Sequence, residues 1–183
     1  MTDKQEQLSQ NLDRVNMWIG NCDQKASFLL ALVGVVVTVI CTSNVFTKVK
    51  EIIITPFVIY LTDKSGSFCL SRLLIAILFF GGLICLLVSI FYLLRCLMAK
   101  TNPDDYKKPG MVEKSRLFYE SIANMTYEEF CSDENNFDSD LQSQIYTNAI
   151  ICSQKFENYK SGLRLTYRAL LLLVAAFIIL LFA

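Results

Sequence analysis

Two stretches of this chain, Ala26–Thr47 and Leu73–Leu94, run for 22 residues each without a charge. No other feature restricts the fold as much. Wound as helices at about 1.5 Å per residue, each would extend about 33 Å, enough to cross a hydrocarbon layer of about 30 Å. A third apolar window, Ala169–Ala183, has 15 residues. Taken from Leu165 it extends about 28 Å, with Arg168 turning its head back to the headgroups. The expectation is an all-α membrane protein with transmembrane helices at 26–47, 73–94 and 165–183. Residues 1–25 are polar and lack the short apolar core and cleavage site of a signal peptide, so the first apolar segment is expected to act as the insertion signal.

Lys and Arg set the orientation. The arm 1–25 carries Lys4, Arg14 and Lys25, and the stretch from Arg95 to Arg168 carries ten more. The loop between the first two spans has only Lys48, Lys50, Lys64 and Arg72. The arm and the 95–164 region are therefore expected in the cytosol, and the 48–72 loop outside. Its "EIIITPFVIYLTDKSG" is too short for a further helical span and reads as a strand pair or an interfacial segment closed by a turn.

The cytosolic parts are patterned for helix packing. Leu8, Leu12, Val15, Ile19, Cys22 and Ala26 step by three and four along one face. Nothing interrupts them at the membrane, so one helix is expected from about residue 5 to 45. Leu141, Ile145, Ala149, Cys152, Phe156, Tyr159 and Leu163 do the same before the last span. The two rods enter the membrane in the same direction, and their seams are expected to pack in parallel. Between them, 100–110 reads as a loop and 111–125 as an amphipathic helix. Thr126 and Glu129 form a capping box, and Asp138 or Ser139 caps the last rod.

Several chemistries are excluded. Seventeen basic residues balance seventeen acidic ones, which leaves no basic groove for a nucleic acid polymer. The absence of His removes a Ser-His-Asp triad and any His-ligated metal. The Cys residues at 22, 41, 69, 85, 96, 131 and 152 are scattered without a CxxC and read as small packing residues. No catalytic site, metal or cofactor is expected. Asp23, Asp104 and Asp105 are too little for a membrane-embedded enzyme.

Asp23 and Lys25 stand at the lip of the first span, and two readings stay open. Lys25 anchors on lipid phosphate while Asp23 is solvated, or Asp23 faces the bundle and pairs with Arg116 or Lys155. Trp18 fits the headgroup layer or the bundle core. Gly34, Gly81 and Gly82 allow close helix approach, within the chain or between copies.

"NMWIGNCDQKASFLL" resembles the N-terminal signature of the Pycsar-type transmembrane effector family, roughly W-I-x-x-A-D-x-K-A-S/G. Trp18, Ile19, Asp23, Lys25, Ala26 and Ser27 match it, with Cys22 for the usual Ala. "LFYESIANMTYEEF" (117–130) is similar to the family's F-F-x-x-I-A and S/T-x-E-E-Y/F patches, and Gln144, Lys155 and Tyr159 match its last helix. The resemblance implies a bacterial antiphage effector of the inner membrane. It would be controlled by a cyclic nucleotide from a cognate cyclase and disrupt the membrane when active. Cyclic UMP, cyclic CMP and a cyclic dinucleotide all stay open, as does whether the ligand triggers or restrains.

An anionic nucleotide needs cations for its phosphate and a flat partner for its base. Lys25, Arg116, Lys155, Lys160 and Arg164 offer charge, and Trp18, Phe118, Tyr119 and Tyr159 offer rings. Asn16, Asn21, Asp23 and Asn148 can read a base edge. Taken singly, each cation reads first as surface charge and each ring first as bundle core, so only their combination on facing helices argues for a site. The candidate ligand-binding set is Trp18, Asn21, Asp23, Lys25, Arg116, Tyr119, Lys155 and Tyr159, within one subunit or between two. No charge lies deep in a span, so damage would come from helix rearrangement or a homo-oligomer rather than from an ion path in one chain. The alternative is a non-toxic membrane scaffold or accessory subunit that localises a partner protein.

Overall fold

The computed structural model describes residues 2–42, 47–48, 51, 70–98, 108–112, 114–132 and 137–182. Among the described residues five helices follow in order: α1 (Asp3–Thr42), α2 (Leu70–Leu97), α3 (Tyr119–Ala123), α4 (Tyr127–Cys131) and α5 (Phe137–Phe182). No strand occurs among the described residues. The chain is an all-α membrane protein: α1, α2 and α5 are each long and apolar enough to cross a bilayer. None of these three helices contains a proline, so nothing of that kind breaks their i→i−4 ladders. The strand pair or interfacial segment expected in the 48–72 loop, and most of the expected 100–110 loop, lie outside the described residues.

The chain divides into two units, Met1–Lys25 with Cys96–Glu157 and Ala26–Arg95 with Asn158–Ala183. They are the polar and the apolar unit below. α1 and α5 contribute to both without a break.

In the polar unit, α1 turns Leu8, Leu12, Val15 and Ile19 partly inward and buries Cys22 completely. Asn148 donates to Asn16 at 2.8 Å, and Lys155 donates to Asp23 at 2.6 Å. Both pairs share the offset of 132 residues and lie seven apart, which places α1 and α5 parallel in a heptad register. These polar pairs rotate α5 away from the expected apolar stripe. Leu141 is buried, but Ala149 is exposed and Lys155 takes the seam. At the start of the two helices Lys4 pairs with Asp138 at 3.2 Å. Hydrogen bonds from Gln5 and from Lys4 hold the Asp138 carboxyl below the usual carboxylate range. α5 begins at Phe137, so Asp138 and Ser139 lie in its first turn rather than at its cap.

The helix expected over 111–125 shrinks to α3, because side chains capture the backbone donors that a longer helix would use. The Val112 N–H donates to Ser143 Oγ, the Arg116 N–H to Asp140 Oδ2 and the Leu117 N–H to Ser115 Oγ. Just before it, Lys108 to Met111 make a turn with Met111 N–H donating to Lys108 C=O at 3.1 Å. Gly110 sits at φ +90°, the left-handed position that a type II turn reserves for Gly after Pro109. The Thr126–Glu129 capping box that opens α4 is present in both directions.

In the apolar unit small residues share the interior with Val33, Ile75, Phe79, Leu86 and Leu93, while many large apolar side chains lie outside. Ala26, Gly82, Ser89, Gly162, Thr166 and Ala169 lie inside, while Phe28, Ile77, Ile84, Leu87, Phe91 and Val174 face outward. Small residues at helix contacts and large apolar ones outside are what lipid selects. Val33, Leu86 and Ala169 make one layer with Val36, Val37 and Leu173 around them, and Phe79 meets Ala176 in the next. Gly82 and Gly162 set the spacing of α2 and α5. A Cβ at Gly82 would come within 2.8 Å of Leu173, and one at Gly162 within 2.9 Å of Leu93. Gly162 therefore takes the contact, and Leu163, expected in the seam, faces out. Where the backbones meet, Ser89 Oγ donates to Gly162 C=O at 2.8 Å and lies 2.7 Å from Thr166 Oγ1.

Candidate functional site

The polar unit loses three helical segments at its edge: α1 after Lys25, α2 before Cys96 and α5 after Glu157. Each contributes one group to a single cluster within two residues of that edge. The buried Lys155 ammonium donates to Asp23 Oδ1 at 2.6 Å and to Cys96 C=O at 2.9 Å. Helical periodicity explains the meeting. Asp23 follows Asn16 by one heptad on α1, and Lys155 follows Asn148 by one heptad on α5. Cys96 lies in the last turn of α2, where the final carbonyls have no intrahelical partner and the helix dipole favours a cation.

Beneath the ion pair, Cys22 and Cys96 are fully buried with their sulfurs 3.7 Å apart. Burial, helped by the neighbouring Cys96 and by Asp23, pushes the Cys22 thiol up to about 12, against the opposing pull of Lys155. Burial also raises the Cys152 thiol, with Cys22 and Asp23 adding to it. Both shifts disfavour the reactive thiolate at Cys22 and Cys152 in the folded chain. Among the described residues no group of three or more His, Cys, Asp or Glu is placed to hold a metal ion.

Of the two pairings open for Asp23, the one with Lys155 forms. Trp18 is half exposed and meets the Phe156 ring edge-on at 6.3 Å. Asn21 is partly buried and Lys25 exposed on the same stretch of α1. Arg116 and Tyr119 lie elsewhere in the polar unit. The Arg116 guanidinium donates to Glu129 C=O and Ser132 Oγ, both at 3.2 Å, and thereby ties the α4 segment down. Tyr119 is largely exposed beside Phe118. Among the described residues no hydrogen bond or ion pair joins either of them to Asp23, Lys25 or Lys155. Tyr159, Lys160 and Arg164 belong to the apolar unit. The Cys96 carbonyl, which completes the cluster, is a backbone group that residue identity cannot announce. Only the break of the apolar window after Leu94 hints that α2 ends nearby.

Three helices long and apolar enough to cross a bilayer, two of them running unbroken from a polar helical unit, define a membrane protein with a polar helical region and a polar clasp at that region's edge. The Pycsar effector protein domain matches residues 7–182, nearly the whole chain. The chain belongs to the Pycsar effector family, a family of membrane effectors in antiphage defence. It is similar to the Pycsar effector protein GmPycTM of Gulbenkiania mobilis, 28% identical over 172 residues, which cover 86% of this chain and 83% of the relative. No solved structure matches.

Proposed function

We propose that this effector sits in the bacterial inner membrane, is controlled by a cyclic nucleotide from a cognate cyclase, and depolarises the membrane and arrests growth when active. The observation that carries this reading is the continuity of α1 and α5, each a single helix from polar sequence into apolar sequence. A rotation imposed at one end of an unbroken helix reaches its other end, because every intervening residue is fixed by the backbone ladder. Family membership supports a defence role, and the Lys and Arg distribution supports a cytosolic N-terminus with spans at 26–47, 73–94 and 165–183.

Trp18, Asn21, Asp23, Lys25 and Lys155, all in the polar unit, form the ligand site in this reading. The protein acts without catalysis. Its target is the lipid bilayer, and a homo-oligomer forms the lesion. Two measurements test this. Purified protein is titrated with cyclic UMP, cyclic CMP and cyclic dinucleotides while thermal unfolding is followed. Ligand at about 100 times its dissociation constant should add about 2.7 kcal/mol of stability. Induced cells are followed with a membrane-potential dye. A protein that binds none of the panel and leaves the potential intact would be the membrane scaffold instead.

A further inference from the structure

We propose that Asp23 is a built-in stand-in for an anionic ligand: its carboxylate holds the Lys155 ammonium at rest, and a phosphodiester anion takes its place. This inference rests on the ligand-controlled reading above. Lys155 is 7% exposed, so an ammonium at this place is costly without an anion beside it. Its side chain cannot reach water without leaving the seam. The Asp23 side chain is 36% exposed and can turn to water at little cost. The exchangeable half of the pair is therefore the carboxylate, and the fixed half is the amine.

Among the described residues the Lys155 ammonium donates to Asp23 and to Cys96 C=O. A phosphodiester carries one negative charge shared by two oxygens, as a carboxylate does, so it can accept the donor that Asp23 vacates and balance the same charge. The exchange has a direction built into it. Losing the Asp23 contact removes the tie between α1 and α5 that lies nearest the edge of the polar unit, leaving those at Asn16–Asn148 and Lys4–Asp138, while the bond to Cys96 C=O keeps α2 and α5 together. Binding would thus loosen one helix of the three. Cys22, one residue from Asp23 and buried against Cys96, reports that loosening.

Both a cyclic nucleotide and an anionic phospholipid headgroup are phosphodiesters, and the test separates them. Full-length protein in maltoside micelles, which contain no phosphate, is titrated with cyclic UMP, cyclic CMP or phosphatidylglycerol. Binding and the alkylation rate of Cys22 are measured together. Asp23→Asn removes the competing charge but leaves Lys155 an oxygen acceptor. It should bind the engaged probe roughly tenfold tighter, the change expected from about 1.4 kcal/mol of lost competition. Lys155→Gln should lose binding, and saturating probe should speed Cys22 alkylation in the wild type. Asp23→Ser serves the same purpose if the Asn variant does not fold. A cyclic nucleotide that binds wild type and both variants alike leaves the proposed function standing and overturns the exchange. Binding of phosphatidylglycerol alone, tightened by Asp23→Asn, supports the exchange and sinks the nucleotide reading. Failure of every probe, or a Cys22 that stays shielded at saturation, overturns the exchange.

Discussion

At Lys155 the sequence and the geometry meet in one charge. The two halves of its ion pair are unequally buried, which fixes the order in which substitutions should hurt. Asp23→Ala leaves a buried ammonium with only the Cys96 carbonyl, whereas Lys155→Met leaves a carboxylate that water can reach. Asp23→Ala should cost about 1–3 kcal/mol, between an exposed and a fully buried pair, and Lys155→Met less. Thermal unfolding in micelles checks the order. Cys22 gives a second residue-level prediction. Its thiol titrates near 12 in the fold against 9.0 in the open chain, so folding favours the protonated form. The stability this contributes is whole below pH 9.0 and drains away as pH rises toward 12. The unfolding midpoint should fall over that window in wild type and fall less in Cys22→Ala. At neutral pH a maleimide should label exposed Cys131 while sparing Cys22 and Cys96. The Asp23–Lys155 pair was legible as one of two pairings, because an unpaired charge at the lip of an apolar rod is costly. Its third member was not, since a carbonyl released by a helix end has no letter of its own.

The long helices were legible because charge-free windows and steps of three and four residues leave little else to build. What failed at this scale was the choice of seam. Counting apolar residues put Ala149 and Leu163 inside, but Asn148, Lys155 and Gly162, each seven residues from the next, hold those places. In the polar unit Asn148 and Lys155 hold their places by hydrogen bonds to α1, and in the apolar unit Gly162 holds its place because close approach decides a seam where the surroundings are lipid. The 111–125 helix failed for a related reason, because Ser115, Asp140 and Ser143 compete for its N–H groups and the last two are distant in sequence. The glycines turn this into a prediction. Gly82→Leu and Gly162→Leu overpack the α2–α5 contact and should each cost about 1–3 kcal/mol in thermal unfolding. Gly34→Leu should cost nothing comparable, because a side chain there meets nothing within 4 Å. Equal losses at all three positions would show that Gly34 is also packed, against another copy of the chain.

For the molecule as a whole, the proposed control of the membrane from the polar end requires α1 to stay one helix between the residues proposed to bind and the apolar residues proposed to act. Ala31 is the place to cut it. It is exposed, so no packing is lost with its side chain, and it lies eight positions beyond Asp23. Proline there removes the N–H that bonds to the Ser27 carbonyl and clashes with that same carbonyl, a disruption of about 3 kcal/mol that kinks the helix. The carbonyl of Asp23 and the clasp around Lys155 stay untouched. A lipid-embedded helix tolerates such a kink when its neighbours hold it, so the Ala31→Pro protein should still fractionate with membranes. It should also keep the ligand-induced rise in thermal stability, because every proposed contact to the nucleotide from α1 lies at or before Lys25. Depolarisation of induced cells should drop by at least about tenfold relative to Ala31→Leu, which changes the same exposed face but keeps the ladder intact. An Ala31→Pro protein that binds and depolarises like wild type would mean that the signal travels by α5 or by assembly, and that the continuity of α1 serves insertion alone.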